Sequence, residues 1–171
     1  SAFRSQTKLV LTRKWDPTQA AALIEQEHIT GFTAPAAMTA DLTHHAKKGG
    51  HNLSSLVMVG GGGAARAPEQ VRDIDVAFAN AMPNTGWGMT ETNACGIGLI
   101  GDEYLENPGA AGRLYPPIQE LVLWDDAGQE VPIGEIGELT VKSACNMRCY
   151  LNKPEATEEV FQNGWLRTGD L

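Results

Sequence analysis

The sequence predicts an α/β fold: a partial, largely parallel sheet with flanking helices, followed by a small antiparallel β-barrel-like subdomain. Three observations predict it. Short apolar runs alternate with helical stretches through the first hundred residues, which is the pattern of a parallel sheet. Two Gly-rich stretches follow strand-like runs, and sheets of this kind bind ligands beyond the carboxyl ends of their strands. Beyond about Gly101 helical periodicity fades and turn signals crowd in. The boundary is therefore set there, with residues 1–101 as an α/β subdomain and residues 102–171 as a β-rich barrel subdomain.

Residues 8–12 form the first strand candidate. Asp16-Pro17-Thr18-Gln19 then starts a helix, with Asp16 as cap, Pro17 in the first turn and Gln19 as capping-box partner. Ala20, Leu23 and Ile24 supply its apolar stripe. Residues 29–33 are expected as a buried strand. A second helix is expected over residues 35–47, with Met38 and Leu42 inward; Gly49-Gly50 ends it, and Lys47-Lys48 suit the negative end of its dipole. Leu56-Val57-Met58-Val59 is wholly apolar, as in a strand covered on both faces, and runs into Gly60-Gly61-Gly62-Gly63. A third helix starts near Ala67-Pro68-Glu69 and buries Val71, Ile74 and Phe78, and a strand then delivers Trp87. In the second subdomain, β-rich runs at 121–124 and 138–142 are separated by turns such as Asp125-Asp126-Ala127-Gly128 and Asn163-Gly164. A short helix is expected over residues 155–161.

Composition narrows the function classes. The 171 residues are 42% hydrophobic and 20% charged, with a formal net charge of −8. That composition suits a globular protein with a real core, and the lack of a basic block argues against a nucleic-acid partner. No apolar run approaches the ~20 residues of a membrane span, and no signal peptide opens the chain. Cys95, Cys145 and Cys149 lack disulfide-framework spacing and too few ligands accompany them for a zinc site, so reduced thiols and a cytoplasmic location are expected. His44 and His45 point about 100° apart on a helix and are expected at a solvated surface.

The most informative stretch is Asn84-Thr85-Gly86-Trp87-Gly88-Met89-Thr90-Glu91-Thr92. An indole between two glycines offers a face on which a base can stack, worth roughly 1–3 kcal/mol per base elsewhere. Thr90 can donate to a phosphate, and Glu91 offers the hard oxygen that Mg²⁺ shares with substrate phosphates. The set suits a magnesium nucleotide, and a Gly-rich turn around a buried Trp accounts for it equally well.

Four further stretches shift that balance: Gly61-Gly62-Gly63-Ala64-Ala65, Gly112-Arg113-Leu114-Tyr115-Pro116, Gly134-Glu135-Ile136-Gly137-Glu138-Leu139 leading into Tyr150-Leu151-Asn152-Lys153-Pro154-Glu155-Ala156-Thr157, and Gly164-Trp165-Leu166-Arg167-Thr168-Gly169-Asp170-Leu171. In this order and spacing they resemble the adenylate-forming superfamily, which comprises acyl-CoA synthetases, peptide-synthetase adenylation domains and beetle luciferases. The resemblance runs from about Asp16 to Leu171.

The resemblance implies site roles. The aromatic-Gly-X-Thr-Glu element lies along the adenylate in this family. That places Gly86, Trp87, Gly88 and Met89 on ATP or AMP, Thr90 on a phosphate, and Glu91 on Mg²⁺, with Thr90 and Glu91 as the catalytic pair. The turn at Gly61, Gly62, Gly63 and Ala64 lines the adenine site and, with Gly88 and Met89, the acyl pocket. Asp170 accepts from the ribose hydroxyls. The chain departs from the family pattern at Trp87 for Tyr, Gly61 for Ser, Ala65 for Pro, and at Leu114 and Pro117; Ser143 and Cys149 stand where glycines are usual. A looser turn at Gly61 follows as an expectation; at Ser143 and Cys149 the expectation is either a stability cost, if those sites need positive φ, or a differently built loop.

The same resemblance places a phosphate-binding loop upstream and a small domain with a catalytic Lys downstream, so the 171-residue chain alone is expected to be inactive. The parent is expected to be an acyl-CoA synthetase with ATP, Mg²⁺ and CoA, acting on a fatty or aromatic carboxylic acid; a homodimer is left open. A peptide-synthetase or carrier-protein adenylation domain is one alternative. A nucleotide-binding or interaction module without catalysis is another, of a different class.

Overall fold

The structure, a computed structural model, describes residues 5–114 and 118–171. Tyr115 and Pro116 of the stretch at 112–116, and the departure at Pro117, lie outside them. The chain divides into two compact units. Unit 1 comprises Ser1–Thr85 and Leu99–Ala110, and unit 2 comprises Gly86–Gly98 and Ala111–Leu171.

Helix α1 spans Pro17–Glu27. Its start follows from three residues within one turn: Asp16 is extended and accepts the Gln19 N–H at 2.8 Å, and Pro17 occupies the first turn, where its missing N–H costs nothing. Helix α2 spans Ala36–Lys48 and ends at Gly49, with His45, Lys47 and Lys48 in its last turn. Helix α3 spans Pro68–Ala77. Ala20, Ile24, Leu42, Leu56, Val59, Ile74 and Phe78 form one buried cluster, and Val71, Leu99 and Tyr104 form a second. The helical stripes at Ile24, Leu42, Val71, Ile74 and Phe78 are thus buried as expected.

Five strands form a mixed, mostly parallel sheet in the order β1-β2-β3-β4-β5, comprising Gly31–Thr33, Met58–Gly62, Met82–Trp87, Ile97–Ile100 and Arg113–Leu114. Strands β1 and β2 are parallel, with Phe32 opposite Val59, and β4 and β5 are antiparallel. A short helix, α4, spans Asp102–Glu106. The second sheet is antiparallel, in the order β6-β7-β9-β8, with strands Gln119–Trp124, Glu138–Ser143, Phe161–Gln162 and Trp165–Arg167. Helix α5 (Pro154–Val160) precedes β8. This sheet is open, with β6 and β8 as its edges. Asn163-Gly164 is the two-residue turn of the β8–β9 hairpin, in which Gln162 faces Trp165. No helix among the described residues is long and apolar enough to cross a membrane.

Four local expectations are corrected. Residues 8–12 form no strand: no described strand pairs with them, and Leu9 and Leu11 are exposed. Strand β1 is shorter than expected and lies at a sheet edge, so Gly31 and Thr33 are exposed rather than buried. The apolar run before Gly60 enters the sheet only at Met58, which leaves Val57 half exposed while Leu56 and Val59 are fully buried. His44 is exposed as expected, but His45 is half-buried and stacks on His51, with ring centres 5.6 Å apart. At Ser143 and Cys149 the second alternative holds, a differently built loop: neither is among the described residues with positive φ.

Candidate functional site

Strand β3 ends on Trp87, and the chain turns back at once. A Cβ on Gly88 would stand 2.8 Å from the Ala94 carbonyl oxygen, so the close approach that demands glycine here is that of the chain's own returning backbone. A single 3₁₀ turn, Thr90–Thr92, follows. Thr92 is fully buried and pins it: its hydroxyl donates to the Met89 carbonyl at 3.1 Å and accepts the Met89 N–H at 3.2 Å. Asn93, in the left-handed region, donates through its side chain to the Cys145 carbonyl at 2.7 Å. Thr90 is left exposed, while Met89 and Glu91 are half-buried.

Glu91 is held at both ends. Its carbonyl accepts the Met147 N–H at 2.6 Å, and its Oε1 accepts the Tyr150 hydroxyl at 2.7 Å. That hydrogen bond, with burial behind it, pushes the Tyr150 phenol above its usual range, so the hydroxyl stays a donor at neutral pH. Oε2 takes no hydrogen bond among the described residues. No cluster of three or more His, Cys, Asp or Glu surrounds it there either. One carboxylate with one uncommitted oxygen fits Mg²⁺ held jointly with substrate phosphates, and does not fit an ion caged by protein alone.

Asp170 sits on an exposed loop fixed to β7. Its carbonyl accepts the Leu139 N–H at 2.8 Å, and the Thr168 hydroxyl donates to the Leu139 carbonyl at 2.7 Å. Glu138 closes the arrangement. One oxygen accepts from Arg167 Nε and Nη2 at 2.8 and 2.5 Å, and the other accepts the Gly169 N–H at 2.9 Å. Burial pushes the Glu138 carboxyl up; the bonds from Arg167 and Gly169 outweigh it and hold the group below the usual carboxylate range. Asp170 Oδ2 accepts the Trp87 indole N–H at 2.5 Å.

Gly61, Gly62, Gly63 and Ala64 lie in unit 1, at and just beyond the end of β2. Gly61 has φ +145°, and any Cβ there would collide with the backbone of Ala34. The turn is tightly seated at Gly61, not looser, and in this chain a serine would not fit that position. Arg66 is buried and donates to the Asn84 carbonyl at 3.0 Å, which ties this turn to the strand that carries Trp87.

Gly86, Trp87, Gly88, Met89, Thr90, Glu91 and Asp170 thus belong to one unit, and within it Trp87 and Asp170 are directly bonded. Tyr150 and Glu138 have no site role in the sequence reading; the structure sets one against Glu91 and the other against the Gly169 N–H beside Asp170. Each stands in a flagged stretch, but its partner is 59 and 31 residues away respectively, and spacing gives no sign of such pairs. Thr92 and Arg66 carried no signal beyond their place beside the motifs. The three thiols are not equally isolated: the neighbouring Cys145 thiol, together with burial, pushes the Cys95 thiol up.

Known proteins show the same chain segment. The chain is 32% identical over 169 residues to the 4-coumarate–CoA ligase-like 6 of Arabidopsis thaliana, covering 95% of this chain and 29% of that protein. The structure of the o-succinylbenzoate CoA synthetase of Bacillus subtilis with an acyl-adenylate intermediate matches at a TM-score of 0.84, with 26% identity, 98% of this chain and 33% of that one. The amide bond synthetase McbA of Marinactinospora thermotolerans matches at 0.79, with 34% identity, 94% of this chain and 33% of that one. The chain therefore spans about a third of the length of these relatives. The family model described as AMP-binding enzyme matches residues 1–151, and on that match the chain belongs to the AMP-binding, adenylate-forming enzymes.

Proposed function

We propose that the full-length protein activates a carboxylic acid, fatty or aromatic, with ATP and passes the acyl group to CoA. The observation that carries this reading is the bond between Trp87 and Asp170, which brings an aromatic face and a carboxylate together across 83 residues beside Glu91's turn. In the first step a substrate carboxylate oxygen attacks the α-phosphorus of ATP, the bond to the β-phosphate oxygen breaks, and pyrophosphate leaves. In the second, a thiolate attacks the acyl carbon and AMP leaves. A carboxylate is a poor electrophile; the mixed anhydride gives it a good leaving group.

The chain's own residues bind and orient. Trp87 supplies a stacking face for adenine, and Asp170 accepts from a ribose hydroxyl through Oδ1 while the indole holds Oδ2. Thr90, exposed at the start of its turn, donates to a phosphate oxygen. Glu91 Oε2 would hold Mg²⁺, which when bound neutralises phosphate charge. For Gly61, Gly62, Gly63 and Ala64 the assignment to adenine and acyl walls rests on the resemblance alone. A second reading concerns the acceptor: the likeness to an amide bond synthetase favours an amine in place of CoA.

The test is pyrophosphate exchange by the full-length protein over short, long and aromatic acids, followed by product analysis with CoA or an amine as acceptor. Glu91→Ala and Thr90→Ala are expected to slow exchange on the order of 10²-fold, and Asp170→Ala to raise the KM for ATP. The 171-residue chain alone is expected to form no acyl-adenylate. Near-normal exchange in all three variants would remove the site assignment.

A further inference from the structure

Tyr150 is more than a neighbour of Glu91. The segment from Met147 to Tyr150 grips that residue twice, once at its carbonyl through the Met147 N–H and once at its carboxylate through the Tyr150 hydroxyl. Tyr150 is itself fixed. Its N–H donates to the Thr157 hydroxyl at 3.0 Å, that hydroxyl donates to the Lys153 carbonyl at 2.9 Å, and the Lys153 N–H donates to the Tyr150 carbonyl at 3.2 Å. The phenol therefore projects from a closed turn at the start of α5. A glutamate loses rotamer freedom when it is pinned. A partner that pins it beforehand removes that loss from the moment of ligand binding. Because the phenol engages Oε1 alone, it also decides which oxygen is left uncommitted.

We propose that Tyr150 is a positioning residue that sets the Glu91 carboxylate with Oε2 presented to the divalent cation of the nucleotide. This rests on the role given to Glu91 above. The residue does for a carboxylate ligand what hydrogen-bond partners behind metal ligands do generally, where their loss weakens metal affinity about 10–100-fold.

The experiment uses Tyr150→Phe in the full-length protein, which keeps the ring and deletes only the hydroxyl. Two quantities are read: binding of Mn²⁺ in the presence of α,β-methylene-ATP, by electron paramagnetic resonance, and the Mg²⁺ dependence of pyrophosphate exchange. The expected result is Mn²⁺ binding weakened about 10-fold or more, a matching rise in the Mg²⁺ half-saturation, and a much smaller change in the rate at saturating Mg²⁺. Wild-type Mn²⁺ affinity in Tyr150→Phe overturns the proposal, including the case in which the rate falls equally at every Mg²⁺ concentration, because that marks a purely structural hydroxyl. Glu91→Gln is measured alongside. If it leaves Mn²⁺ binding intact, the metal role of Glu91 fails, and the proposal with it; if it abolishes binding while Tyr150→Phe does not, only the proposal fails.

Discussion

Each unit is stabilised internally by a different kind of force. Unit 1 rests on aliphatic burial, with Ile24, Leu42, Leu56, Val59 and Ile74 at or near zero exposure. In unit 2, Val141 and Leu166 are the large apolar side chains buried to that degree among the described residues. Its loops are fixed instead by Glu138, Thr168, Thr92 and Tyr150, each through directed hydrogen bonds. A buried Leu or Ile contributes about 1.5–3 kcal/mol without regard to direction, whereas a hydrogen bond contributes about 0.5–1.5 kcal/mol net and only at the right angle. Stability is therefore concentrated in the first unit and orientation in the second, where most of the candidate site's polar side chains stand.

Three substitutions in the full-length protein can break or sharpen that contrast. Leu56→Ala, in the core of unit 1, is expected to cost about 2–5 kcal/mol, read from denaturant unfolding. The KM for ATP of the protein that remains folded should barely move; a large change there would mean that core packing also governs site geometry. Glu138→Gln in unit 2 is expected to cost about 1–3 kcal/mol, since it weakens bonds to a charged group, and to raise the KM for ATP as the Asp170 loop loosens. Because the Glu138 carboxyl is held below its unfolded value, its stabilisation is full at neutral pH and is lost as pH falls through the folded value. The wild type should accordingly lose stability more steeply in acid than Glu138→Gln, and parallel acid limbs would show that the pairing contributes nothing. Asp16→Ala removes the cap of α1 and should cost about 1 kcal/mol, with no effect on ATP use.

What the sequence reveals divides along similar lines. The helices of unit 1 are legible because their causes are local: Asp16 and Pro17 at the start of α1, and the spacing of Val71, Ile74 and Phe78 on α3. The order of the motifs carries the family, and with it most of the candidate site. Residues 8–12 were misleading because a strand is made by its partner, and an apolar stretch without one stays open coil. Gly88 suited a ligand's approach, but the structure shows the Ala94 carbonyl in that space, a contact produced by the tight return of the chain. Tyr150 and Glu138 were hidden for a related reason: each acts through a residue that only the folded chain brings near.

The bond between Trp87 and Asp170 also bears on biosynthesis. Its partners are 83 residues apart, and a ribosome adding about 5–20 residues per second completes the later one on the order of ten seconds after the earlier. Throughout that interval the emerging indole has no Asp170 carboxylate to donate to, and this contact of the candidate site is unformed.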